Sequence, residues 1–242
     1  MKLLIHTIFV ILFTVTFFNC NYVAIFKTNS EKGDYQLPDE TMVLLDQESS
    51  LKYKKNFNRR ILEILGKAYI EVAYVEDEDF ELHYEKLEIR LEGDEFYIHT
   101  DESENKVFFI PIDGYARAEI KEISGQSIMT IKEGYQLEYE GKNHIVQIKE
   151  VKNSHYLSWK NEAFYFADTK LNEVTEVLEN EFDAQIKLSS KGLEACNITD
   201  TITNISLDSA LKEVIAITGT ELRQTKKSYI LIGDSCQVDL PE

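Results

Sequence analysis

Residues 87–100, LEIRLEGDEFYIHT, decide how most of this chain is read. Leu87, Ile89 and Leu91 alternate with Glu88 and Arg90, so one face of a period-two segment is apolar and the other charged, which is the pattern of a half-buried strand. EFYIHT at 95–100 reads as a second strand, and EGDE at 92–95 as the turn between the two. β-rich runs continue in both directions: TMVLL (41–45), AYIEVAY (68–74), KVFFI (106–110), ARAEI (116–120), SIMTI (127–131) and HIVQIKEV (144–151). Gly66, DESEN at 101–105, DG at 113–114, SG at 124–125 and the EG pairs at 133–134 and 140–141 separate them. Short strands recurring roughly every ten residues predict an antiparallel sandwich, barrel or stacked-sheet domain over residues 35–151.

The period changes after residue 155. FYF at 164–166 reads as a short strand, and Leu171, Val174, Leu178 and Phe182 then fall at helical spacing, with Asp168 or Thr169 as the N-cap. Strands follow at QIKLS (185–189) and ITDTIT (198–203). Ser206 opens a second helix whose apolar face holds Leu207, Ala210, Leu211, Val214 and Ile215, and Gly219 suits its exit. TELRQT and SYILIG close the chain as strands. The order β-α-β-β-α-β predicts a small α+β domain over 156–236, two helices on one sheet face. The fold class expected is therefore mainly β plus α+β, with the boundary near 152–158. Only three prolines occur, Pro38, Pro111 and Pro241, so no long linker separates the halves.

The N-terminus, LLIHTIFVILFTVTFFNCNY (3–22), is apolar to residue 18 and stops at Asn19 and Cys20. A comfortable membrane crossing needs about 20 apolar residues, and this run is shorter. Residues 1–22 read as a signal peptide or membrane anchor. Three outcomes are open: lipid attached to Cys20, an uncleaved signal anchor, or simple secretion. All three export residues 21–242, and the expected location is periplasm-facing and membrane-anchored. If Cys20 carries lipid, Cys196 and Cys236 remain, either as a disulfide in an oxidising compartment or as two unrelated thiols.

The net charge of −17 sets up a field that repels nucleic acid and anionic lipid, which argues against non-specific phosphate binding. YVEDEDFELHYE (74–85) lacks the Asp/Asn spacing and turn glycine of a calcium loop and reads as a solvated loop and strand face. The five histidines, 6, 83, 99, 144 and 155, form no short-spaced metal pair, and no nucleophile elbow, phosphate loop or dinucleotide fingerprint occurs. No catalytic residue, metal site or cofactor is expected, and the chain is read as a non-enzyme. Tyr156, Trp159, Phe164, Tyr165 and Phe166 are either a partner-docking patch or core at the domain junction. On a strand Phe164 and Phe166 share one face, so Tyr165 is the expected exposed member.

YQLPDETMVLLDQESSLKYKKNF (35–57) resembles the opening of the FecR periplasmic domain, where Leu-Pro-Asp-Gly-Thr precedes a strand and then Ser-x-Leu-x-Tyr. Leu37, Pro38, Asp39, Thr41, Leu45, Ser50, Leu51 and Tyr53 fit, and Glu40 replaces the usual glycine. LGKAYIEVAYVEDEDFELH (65–83) is similar to that family's Gly-Glu-Ala-Tyr-Phe-Glu-Val stretch at Gly66, Ala68, Tyr69, Glu71 and Val72, while Lys67 and Ile70 depart from it. RLEGDEFYIH (90–99) keeps Gly93 and Phe96 of a later motif. Residues 156–188 resemble the C-terminal domain that follows FecR modules, itself related to the short N-terminal domain of secretins and TonB-dependent receptors, at Trp159, Lys160, Phe164, Phe166, Leu171, Val174, Leu178 and Phe182. The resemblance implies a membrane-anchored regulator that senses an outer-membrane TonB-dependent transporter through its signalling domain and controls a sigma factor. Only Met1 and Lys2 precede the apolar run, so the cytoplasmic sigma-binding arm has no counterpart, and the exported protein–protein interaction role is what carries over. The alternatives are an envelope lipoprotein that binds glycan or structural partners, or a truncated remnant of an anti-sigma factor.

Overall fold

The computed structural model describes residues 23–121, 128–151, 155–203, 206–226 and 228–236. The apolar N-terminal run and Cys20 lie outside them. Among the described residues no helix is long and apolar enough to cross a membrane.

Eleven strands make one large sheet system: β1 (Val23–Lys27), β2 (Gly33–Gln36), β3 (Met42–Leu45), β4 (Ser50–Lys54), β5 (Arg60–Glu71), β6 (Phe80–Tyr84), β7 (Leu87–Asp101), β8 (Lys106–Ile120), β9 (Met129–Lys132), β10 (Tyr135–Glu140) and β11 (Ile145–Glu150). The main path runs β1-β4-β5-β6-β7-β8-β10-β11 and is antiparallel except at β5–β6. Two strands are longer than expected because two predicted turns are not turns. LEIRL and EFYIHT are one continuous strand, β7, and KVFFI and ARAEI are likewise one, β8. Their EGDE and DG segments face each other in mid-ladder, with Gly93 paired to Gly114.

The register slips twice at this crossing, once by a residue in β7 and once by a residue in β8. Each slip turns the following side chains to the opposite face. Buried positions in β7 accordingly change from Leu87, Ile89 and Leu91 to Phe96 and Ile98, and in β8 from Val107 and Phe109 to Ala116, Ala118 and Ile120. Both strands change face together, so the apolar face stays on one core. Pro111 sits at the slip, the kind of irregular position to which proline is confined within a sheet. β5 bends at Gly66 (φ 84°): residues before it pair with β4 and β6, residues after it with β3 and β7. The bent strands bring both ends of the sheet around a single cluster that includes Leu62, Phe80, Ile89, Phe109 and Tyr139.

A short 3₁₀ turn (His155–Leu157) and α1 (Ser158–Asn161) lead into the C-terminal part. It comprises β12 (Ala163–Lys170), α2 (Leu171–Phe182), β13 (Ile186–Leu188), α3 (Lys191–Glu194), β14 (Asn197–Thr203), α4 (Leu207–Thr218), β15 (Glu221–Gln224) and β16 (Tyr229–Ile232). The helices and strands follow the expected order, with α3 added. The strands, however, form two small sheets rather than one: β12 with β14, and β13-β16-β15 with a parallel β13–β16 pair. Phe164, Leu171, Leu178, Ile202, Leu211 and Leu231 build its own core.

The expected N-cap of α2 is corrected. β12 runs on to Lys170, which occupies the cap position without a side-chain bond, and the N–H of Leu171 donates instead to the carbonyl of Cys196 at 2.7 Å. Asp168 accepts from Asn197 Nδ2 at 2.7 Å and is engaged across the sheet. Ser206 does cap α4: its Oγ accepts from Ser209 N–H at 3.2 Å and Ser209 Oγ accepts from Ser206 N–H at 3.0 Å, and Gly219 ends the helix at φ 67°.

Candidate interaction surfaces

β12 alternates as its sequence demands. Phe164 and Phe166 are buried in the C-terminal core, and Tyr165 between them is 53% exposed. Tyr165 lies directly opposite exposed Thr201 on β14. Among the described residues β12 and β14 each have a strand partner on one side only, and so does β15, whose four residues are all exposed and include Leu222. Such rims present unpaired backbone donors and acceptors that an extended segment of another protein can complete.

The other aromatics of the candidate patch are internal. On the outer face of the large sheet Tyr69, Tyr97 and Ile110 stand in one row across β5, β7 and β8, because Tyr69 pairs with Tyr97 and Tyr97 with Ile110. Trp159 from α1 covers that row and is 4% exposed, with the Tyr156 ring tilted against Tyr97, centroids 5.3 Å apart. Lys160 Nζ lies 3.6 Å from the centroid of the Tyr69 ring, a cation–π contact across the junction. Sequence periodicity could not find this row, since its members come from three strands and a connecting helix.

Charged groups ring the same junction. Lys67 Nζ stands 3.5 Å from Glu181 of α2 and 3.7 Å from Asp46, and Lys32 Nζ is 3.0 Å from Glu162. Burial raises the Glu181 carboxyl above its ordinary range; Lys67 opposes the shift and Asp46 adds to it. Burial lowers His155, which packs against Phe166 with ring centroids 4.8 Å apart.

Cys196 and Cys236 are joined as a disulfide with Cα atoms 5.9 Å apart, tying the C-terminal segment beyond β16 to the residues before β14. A closed loop of this length, 40 residues apart in sequence, stabilises by about 4 kcal/mol on the chain-entropy account.

One titratable cluster escaped the sequence reading. Glu81, His83 and Glu88 offer ligand atoms within 4.8 Å of one another. The β6–β7 register, in which His83 opposes Glu88, creates it. His83 Nε2 is 2.8 Å from Glu81, Arg90 Nη2 is 3.4 Å from Glu81, and Lys121 Nζ is 3.0 Å from Glu88. Burial pushes the Glu81 carboxyl up, but His83 and Arg90 outweigh it and hold the group below its ordinary range. Each carboxylate is thus already compensated by a cation or a histidine, which makes this a salt-bridge network.

The motif residues of the first half also have a structural use. Arg60 is 3% exposed, and its Nε donates to Asp39 Oδ2 at 2.7 Å while Nη1 donates to the Glu78 carbonyl at 3.2 Å and Nη2 to the Ala73 carbonyl. Asp39 also accepts from the N–H and Oγ1 of Thr41 at 3.1 and 2.9 Å. Leu-Pro-Asp-Glu-Thr is thereby the turn that holds a buried arginine.

Residues 25–110 match the family model described as FecR, the FecR protein. Two crystal structures, at 2.50 and 1.65 Å, of a candidate anti-sigma factor from Parabacteroides distasonis ATCC 8503 are similar in fold, each with a TM-score of 0.58 and 21% identity. The similarity covers 88% of this chain and 100% of those. Comparison with curated proteins finds no match. The Asp39–Arg60 turn, the bent β5 and the first half of the β7–β8 ladder all fall inside the segment that matches the FecR model, residues 25–110.

Proposed function

We propose that this protein is an exported, membrane-anchored signalling adaptor that works by protein–protein contact, with its C-terminal part receiving the signalling domain of a TonB-dependent outer-membrane transporter. The observation that carries this is the pairing of a segment that matches the FecR model with a small α+β unit that leaves β15 open at one edge and Tyr165 exposed beside Thr201. An extended transporter segment would add to that edge through main-chain hydrogen bonds and use side-chain pockets for selectivity. The role calls for no catalytic group, and the buried charges here are engaged in structural pairs. The glycan-binding alternative draws less support: the exposed Tyr74 and Tyr135 stay outside the charged grooves of the β-rich part, where the aromatic lining is the half-buried Tyr84.

The test is photo-crosslinking in the native envelope from an unnatural aromatic placed at Tyr165 and, separately, at Leu222. Adducts with the periplasmic signalling domain of a transporter are expected at one position or both. Adducts confined to other copies of this chain, or adducts to glycan polymer, would overturn the reading.

A further inference from the structure

β1 begins three residues after Cys20, and its register fixes what stands beside it. Val23 is opposite Lys54 and Ile25 is opposite Lys52, so these four side chains share the outer face of the β1–β4 ladder. Val23 is 41% and Ile25 56% exposed, on a strand at the rim of the sheet. The next turn, residues 55–59, leaves β4 at the end where β1 starts, and it adds Lys55 and Arg59, both exposed. Residues 50–60, SLKYKKNFNRR, hold five basic side chains and no acid, in a chain whose net charge is −17. Lys52 is matched by Glu63 at 2.7 Å and Arg60 by Asp39, whereas among the described residues Lys54 and Arg59 form no ion pair.

We propose that this corner, with Val23, Ile25, Lys54, Lys55 and Arg59, docks against the anionic headgroups of the bilayer that holds the N-terminal segment. The inference rests on the membrane-anchored reading above. Three residues extend at most about 11 Å, so an anchor at Cys20 confines Val23 to the headgroup zone. Charge selects the orientation: the acidic bulk of the molecule is repelled by an anionic surface while the basic corner is drawn to it. Each lysine or arginine held near such a surface multiplies occupancy about fivefold. The two exposed aliphatics sit where partial insertion removes them from water.

The full chain, reconstituted in nanodiscs of phosphatidylcholine alone or with phosphatidylglycerol, is followed by flotation and by hydrogen exchange. Expected is flotation with both compositions and slower exchange, by at least about threefold, over residues 23–27 and 51–59 in anionic discs only. The protection should vanish in K54E/K55E/R59E and at high salt, and persist in K54R/K55R/R59K. Flotation with both discs but no composition-dependent protection overturns the docking and leaves the anchor standing. Absence of flotation with either composition overturns both.

Discussion

Gly93 of β7 and Gly114 of β8 meet face to face where both strands change sides. A Cβ on Gly93 would lie 2.6 Å from the Cα of Gly114, and one on Gly114 would lie 2.6 Å from the Cα of Gly93. Their φ angles, 151° and 107°, are also poorly suited to other residues. Either glycine replaced by alanine must push backbone against backbone at the fold's central crossing. Gly93→Ala and Gly114→Ala are each expected to cost about 3 kcal/mol, read as a fall in the urea midpoint with an unchanged m-value. A loss below about 0.5 kcal/mol in both would show that the crossing is not rigid.

How far the sequence reveals this fold depends on what its local signals can encode. LEIRL named its inward face correctly because period two is a property of a single strand. The glycines at 93 and 114 carried the same local signal as hairpin turns. Only their pairing, a contact between residues 21 apart in the chain, makes them a bulge crossing. FYF likewise announced which aromatic would be exposed, and the structure has Tyr165 outside with Phe164 and Phe166 inside. The Trp159 seat and the basic corner were not legible, since each is assembled by register between elements rather than by spacing within one. The transfer of the α2 cap to the Cys196 carbonyl has the same cause.

Glu40 occupies a left-handed position, φ 73°, in the turn whose family pattern has glycine there. Its N–H donates to the Leu37 carbonyl at 3.0 Å, and the Leu37 N–H donates to the Thr41 carbonyl at 2.9 Å, so the turn closes around it. A residue with a Cβ is strained in this region by about 1–2 kcal/mol, and glycine returns part of that gain as unfolded-state entropy. Glu40→Gly is therefore expected to stabilise the protein by about 0.5–1 kcal/mol, seen as a higher thermal midpoint. A lower midpoint would indicate that the Glu40 side chain contributes something its backbone angle does not reveal.

Arg60 and Asp39 are buried together at 3% and 10% side-chain exposure. Removing the arginine leaves a carboxylate inside the protein and frees the carbonyls of Ala73 and Glu78 from their donor. Arg60→Ala is expected to destabilise by about 3–5 kcal/mol. The paired variant Asp39→Asn/Arg60→Met, which removes both charges, should recover a substantial part of that loss. Failure of the double variant to recover any of it would mean that the arginine acts through packing over Phe80, 4.9 Å from its guanidinium carbon, and not through charge.

Glu181 and His155 flank the junction and should tilt its pH dependence in opposite directions. The Glu181 carboxyl is raised, first by burial, so its contribution is fully present below the ordinary value of 4.5 and is lost as pH climbs through its folded value. Replacement by glutamine removes that titration, so Glu181→Gln should gain stability relative to the parent between pH 4 and pH 7. His155 is lowered by burial, so its contribution is present above 6.5 and is lost as pH falls through its folded value. The parent should therefore lose stability relative to His155→Phe as pH drops from 7 to 5. Chemical unfolding of the three proteins across this range reads both differences. Parallel pH curves for all three would show that neither group changes its proton affinity on folding.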